Sequence, residues 1–128
     1  MRIGLSAIVL ALAAPAAALA DSAGQSLFND NCSACHQRTG LGVKGAFPAL
    51  AGNKLVQGPP AVVASTVLVG RGGMPSFKSD FNDAQLAAIL TYVRSSWGNK
   101  APAITPGQIA AARRQSSAAA QPKNLQAH

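Results

Sequence analysis

The residues Cys32-Ser33-Ala34-Cys35-His36 have the types and spacing to do chemistry. The C-x-x-C-H string is the attachment signature of c-type haem. Two thiols three residues apart can each form a thioether to one haem vinyl group. The next residue then lies under the ring, where its imidazole can bind the iron. Three other uses of the same residues compete: a local disulfide, a thioredoxin-like redox pair and half of a zinc site. The redox pair needs a preceding strand, and no alternating strand pattern precedes Cys32. A zinc site needs more Cys or His ligands, and the only other His is His128 near the chain end.

A haem iron held by His36 has a second axial position. Met1 is expected to leave with a targeting segment, so Met74 becomes the only Met of the mature chain. It sits in Gly70-Arg71-Gly72-Gly73-Met74-Pro75. Glycines there let backbone approach a flat ring, and Pro75 stiffens the exit. A lone Met is more often core filler. Between Gly-Gly and Pro, after a helix stop, Met74 is poorly placed for that role. Met74 is therefore the expected sixth ligand, with His128 or an open site as the alternatives.

The elements that must position these residues fit in one small domain. The chain has 128 residues, 11 Lys and Arg against 4 acidic residues, and a formal net charge of +7. Its single Cys pair excludes a multi-disulfide scaffold and a four-cysteine zinc site. Residues 1–20 read as a signal peptide, with Arg2 as the positive start, an apolar stretch from Ile3 to Leu12, and Ala18-Leu19-Ala20 before the cut at Asp21. The expected location is the periplasm. An uncleaved anchor helix is the alternative, against which stand Gly4, Ser6 and Pro15. No stable membrane insertion is expected after cleavage, and nothing in the sequence points to nucleic acid.

The apolar periodicity is helical. A first helix is expected over Ser22 to Asn31, and a second within Lys54 to Val69, announced by Pro59-Pro60 and stopped at Gly70. The third starts from Asn82 as N-cap with Gln85 in a capping box. It continues through Leu86, Ile89, Leu90, Val93 and Trp97 to Gly98. A weaker fourth starts at Thr105 with Pro106 at its first position. The spans are then a signal peptide (1–20), the haem domain (21–100), a short C-terminal helix (101–112) and a disordered tail (113–128). Large apolar side chains are few, and a core so thin usually needs a staple, which a covalent haem would supply.

From about Ala23 to Asn99 the chain resembles the class I c-type cytochromes. Gly24, Phe28 and Cys32, spaced by four, look like that family's N-terminal helix, where the Gly allows close crossing by a C-terminal helix bearing Ile89 and Tyr92. Phe47-Pro48-Ala49-Leu50 resembles the segment whose proline carbonyl accepts the imidazole N–H, and Pro48 is the matching residue. Gly73-Met74-Pro75 resembles the distal-ligand loop. The stretch from Ala84 to Asn99 is similar to small haem domains serving periplasmic dehydrogenases, including cytochrome subunits of quinoprotein alcohol dehydrogenases. The chain departs from those multi-haem subunits in having one C-x-x-C-H and, with cleavage expected before Asp21, no expected membrane anchor.

The resemblance implies an all-α cytochrome c fold of three to four helices around one covalently bound haem c. It implies thioethers at Cys32 and Cys35, axial ligands His36 and Met74, and Pro48 orienting His36. With both axial positions taken, the expected function is one-electron transfer rather than catalysis. The expected partners are a dehydrogenase donor and an oxidase or cytochrome acceptor. Lys44, Lys54, Arg71 and Lys78 would face an acidic docking surface. The alternative is a haem-based sensor or enzyme subunit in which a ligand displaces Met74.

Overall fold

The structure is a computed structural model and describes residues 16–120. Most of the expected signal peptide and the last eight residues, with His128, lie outside the described residues. Five helices follow in order: α1 (Ala16–Asn31), α2 (Ser33–His36), α3 (Pro60–Val69), α4 (Asp83–Ser95) and α5 (Pro106–Ala120). Two isolated antiparallel bridges, Val43 with Phe47 and Arg71 with Met74, close tight loops among the described residues. The fold is all-α, as the periodicity predicts.

The local signals act as expected at three helix starts. Pro60 opens α3, where its missing N–H removes no helical bond. Asn82 caps α4, accepting from the Gln85 backbone N–H at 2.8 Å while the Gln85 side chain accepts from the Asn82 N–H at 2.9 Å. The same reciprocal pattern joins Thr105 and Gln108 at the start of α5.

Two buried clusters hold the helices together. Val63, Leu68, Leu86, Leu90, Ile104 and Ile109 join α3, α4 and α5. Phe28, Val56, Ile89 and Val93 join α1 to α4. Phe28 is fully buried, its ring 5.5 Å from Tyr92 and 5.2 Å from Trp97. Val56, Ile104 and Ile109 enlarge the core beyond what the periodic helices promise, because Val56 and Ile104 lie in loops.

Two expectations are corrected. α4 ends at Ser95, before Trp97, which has a left-handed φ of 53°. Trp97 leaves the helix so that its indole N–H can donate to the Arg38 carbonyl at 2.9 Å. The expected tail from residue 113 is helical as far as Ala120. Alanine has the highest helix propensity, and Arg113 is fixed by bonds to residues some thirty positions earlier, which no local window reveals. α1 runs unbroken across the expected cut before Asp21. Among the described residues no helix is long and apolar enough to cross a membrane.

Arg94, on α4, is the largest fully buried side chain. It donates to the carbonyls of Val56 (2.7 Å), Gly58 (2.8 Å) and Pro102 (2.8 Å). Those bonds tie the segments before α3 and after α4 to one guanidinium, which burial pulls below its ordinary pKa but which stays protonated.

Candidate haem site

Cys32 continues α1, its N–H bonded to the Phe28 carbonyl at 2.8 Å, and the His36 N–H returns to the Cys32 carbonyl at 3.0 Å. This single helical turn presents both thiols and the imidazole together. Both cysteines are free thiols, Cys32 half-buried and Cys35 exposed. Burial pushes the Cys32 thiol up to about 11, and the neighbouring Cys35 adds to the rise. Cys32 is thus a neutral thiol at physiological pH.

His36 Nδ1 lies 3.0 Å from the Pro48 carbonyl oxygen. An N–H at Nδ1 donating to this carbonyl fixes the ring and leaves Nε2 as the basic nitrogen. The loop between them is closed at several points. The Gly42 N–H donates to the His36 carbonyl at 2.9 Å, and the Leu50 and Ala51 N–H groups donate to the Gly40 carbonyl at 2.7 and 3.0 Å. Gly42 has a φ of 61°, and a Cβ there would sit 2.3 Å from the Phe47 carbonyl oxygen and 2.6 Å from that of Pro48. Only glycine lets the Pro48 carbonyl come this close.

Trp97 and Asn99 brace the same loop, a role that sequence reasoning missed. A Cβ on Gly40 would lie 2.4 Å from the Trp97 ring. Asn99 is buried, accepts from the Gly52 N–H at 2.9 Å, and donates to the carbonyls of Leu50 (3.1 Å) and Val93 (2.9 Å). The signal was present as Trp-Gly-Asn just after α4, but its loop partners Arg38, Leu50 and Gly52 lie more than 40 residues earlier.

Met74 is held by a separate set of bonds. Its N–H donates to the Arg71 carbonyl at 3.0 Å, and the Arg71 N–H donates to the Met74 carbonyl at 3.1 Å. The loop is anchored to the end of α3 by the Gly70 N–H on Thr66 (2.9 Å) and the Phe77 N–H on Val67 (3.0 Å). The structure therefore brings Cys32, Cys35, His36 and Pro48 into one unit and presents Met74 from another.

The donor set fits a haem. The thiols are unpaired, Nε2 of His36 is free of protein partners, and an apolar surface adjoins them. Leu41, Val43 and Phe47 expose large apolar side chains on the loop after His36, and Leu41 and Phe47 line a shallow depression that reaches Pro48. Apolar side chains beside an imidazole suit a flat hydrophobic ring and are costly against water. Cys32 and Cys35 would hold the group covalently and His36 would bind its iron. A zinc site finds no support, since among the described residues no group of three or more His, Cys or acidic side chains could hold a metal ion, and the element before Cys32 is the helix α1 rather than the strand a thioredoxin-like pair needs.

A helical domain presenting C-x-x-C-H with its histidine oriented by a proline carbonyl is a small c-type cytochrome, an electron-transfer protein. The family described as cytochrome c oxidase, cbb3-type, subunit III matches residues 19–93, and the chain belongs to it. Its prosthetic group is a covalently bound haem c. The cytochrome c subunit of the quinone alcohol dehydrogenase of Gluconobacter oxydans is 34% identical over 63% of this chain and 20% of that subunit. A cbb3-type cytochrome c oxidase subunit CcoP of Azospirillum brasilense is 32% identical over 65% of this chain and 30% of its own length. The cytochrome c6 of Leptolyngbya boryana is 34% identical over 56% of this chain and 87% of its own. The chain spans about a fifth of the length of the dehydrogenase subunits it matches.

Proposed function

We propose that the protein is an exported, periplasmic one-electron carrier whose haem iron is bound by His36 and Met74. The observation that carries this reading is His36 itself, set one residue after Cys35 and oriented through Nδ1 by Pro48 at 3.0 Å. That bond fixes the tautomer that leaves Nε2 as the donor to iron and restrains ring rotation, which favours a fixed ligand over an exchangeable one. Met74 as a thioether ligand favours Fe(II) more than a second imidazole does and biases the potential upward. With both axial positions filled, electrons pass through the ring edge and no substrate reaches the iron.

The redox partners on this reading are a dehydrogenase as donor and an oxidase or another cytochrome as acceptor. Lys44, Lys54, Arg71 and Lys78 are exposed, and Lys44 lies on the rim of the depression beside Pro48. Such charges attract an acidic partner surface, and salt screens that attraction.

The deciding experiment is a spectroelectrochemical titration of the purified holoprotein. The expected result is a reversible one-electron couple, the weak far-red band of methionine-ligated ferric haem, and slow binding of cyanide and carbon monoxide. Immediate ligand binding without that band overturns the carrier reading in favour of a sensor.

A further inference from the structure

We propose that Arg113 on α5 is a positioning residue that keeps Met74 on the iron by clamping the exit of its loop. The inference rests on Met74 being the sixth ligand. It concerns a helix that lies wholly beyond the family match of residues 19–93.

Between Met74 and the first residue of α4 the chain has no regular structure and must be held from outside. On one side α3 holds it. The Ser76 hydroxyl donates to the Leu68 carbonyl at 2.5 Å and the Phe77 N–H to the Val67 carbonyl at 3.0 Å. On the other side a single guanidinium holds it. Arg113 Nη1 donates to the Lys78 carbonyl, Nη2 to the Phe81 carbonyl at 3.0 Å, and Nε to Asp83 Oδ1 at 2.9 Å. Asp83 is the first residue of α4, so the planar fork spans the second half of the connection, from Lys78 to the helix start. The Lys78 ammonium adds a bond to the Ser117 hydroxyl of α5 at 2.9 Å. The Arg113–Asp83 contact is the one ion pair among the described residues.

For the Met74 sulfur to leave the iron, its loop must swing out. The loop's entry is fixed at Gly70, so the swing must be taken up at the exit, through residues 75–82. Arg113 immobilises the far end of that exit. Removing its fork leaves the exit held by the Ser76 and Phe77 bonds to α3 and by the stacking of Phe81 on Phe77, and loosens residues 78–82. The resting ligation is unchanged, because Arg113 acts through the carbonyls of Lys78 and Phe81 and not on the Met74 loop directly. Arg114 is its control. It is the adjacent residue, carries the same charge and is exposed, and its side chain makes no hydrogen bond or ion pair.

The test uses the full holoprotein and the rate at which cyanide binds its ferric haem, a rate limited by Met74 release, measured well below each variant's melting temperature. Arg113→Gln is expected to keep the far-red band and to bind cyanide about tenfold faster, the factor that about 1.4 kcal/mol produces. Arg114→Gln is expected to stay within about twofold of the parent, as a surface change does. Asp83→Asn, which weakens one of the three bonds, should fall between them, and it carries the test alone if Arg113→Gln fails to load haem. A parental cyanide rate in Arg113→Gln, with or without a lower melting temperature, overturns the clamp and leaves the ligation of Met74 standing. A parent protein lacking the far-red band overturns the ligation itself and the clamp with it.

Discussion

Gly24 of α1 lies against Ala88 of α4 so closely that a Cβ on it would sit 2.3 Å from the Ala88 carbonyl oxygen and 3.0 Å from the Tyr92 Cβ. The two nearest obstructing atoms are Ala88 backbone, which cannot rotate away, and a Cβ is fixed to its backbone in the same way. Gly24→Ala must therefore separate the two helices, and with them the Phe28, Tyr92 and Trp97 rings one turn on. The expected cost is about 3 kcal/mol, at the upper end for overpacking. Chemical denaturation of the holoprotein checks it, and a loss below about 0.5 kcal/mol means the crossing is looser than its geometry.

Asn99 connects the end of α4 to the loop that orients His36. Asn99→Leu keeps the side chain's heavy-atom count and branching but strips the Gly52 N–H and the Leu50 and Val93 carbonyls of their partner. The loss should be about 2 kcal/mol, the cost of buried polar groups left unmade. Leu50 is two residues from Pro48, so the His36–Pro48 bond should loosen and imidazole donation weaken. A potential shifted upward is the expected outcome, because a less basic imidazole stabilises Fe(III) less. A redox titration of Asn99→Leu against the parent decides it. An unmoved potential confines Asn99 to stability.

The two thiols should differ before haem is attached. Burial raises the Cys32 thiol from 9.0 to about 11, whereas Cys35 is exposed. The thiolate is the nucleophile, so alkylation of the folded chain should reach Cys35 first at pH 8 to 9. Folding holds a proton on Cys32 that the unfolded chain releases near pH 9, so this contribution is full below that pH. It is lost as pH rises through about 11. Peptide mass spectrometry after timed iodoacetamide treatment reads the order. Equal rates at the two sites would show that the turn around Cys32 is not formed without haem.

The motifs that were legible in sequence are those whose partners are close along the chain. The C-x-x-C-H turn, the Asn82 capping box and the Thr105 start of α5 each depend on residues within four positions. The role of Pro48 came from family resemblance, since a bond across twelve residues has no local signature. Trp97 matched the helical period of α4, but its indole donates to Arg38 and packs on Gly40 instead, and tertiary contact overrode periodicity. Arg94 has no signature in the sequence, because nothing in its neighbours announces three carbonyls arriving from separate loops. The length of α5 was missed for the same reason: Ala, Gln and Ser offer little to bury, and the anchor at Arg113 is a contact of long sequence separation.

Met74 provides the most direct test of the ligand set. Its loop is pinned by a two-bond bridge with Arg71 and fastened to α3 on both sides, so the side chain can change while the backbone stays. Met74→Ala should fold and load haem with a loss of about 1 kcal/mol or less, since Met74 is only half-buried and lies outside both apolar clusters. The far-red band should vanish, and cyanide and carbon monoxide should bind far faster, with water occupying the sixth position. The potential should fall, because water or hydroxide stabilises Fe(III) relative to a thioether. Met74→His should instead stay low-spin and six-coordinate, with a potential below the parent's because imidazole is the stronger donor. Spectra, ligand-binding rates and redox titrations of the two variants together separate ligand from filler. If Met74→Ala leaves all three as in the parent, another group binds the iron and the His36–Met74 assignment is wrong.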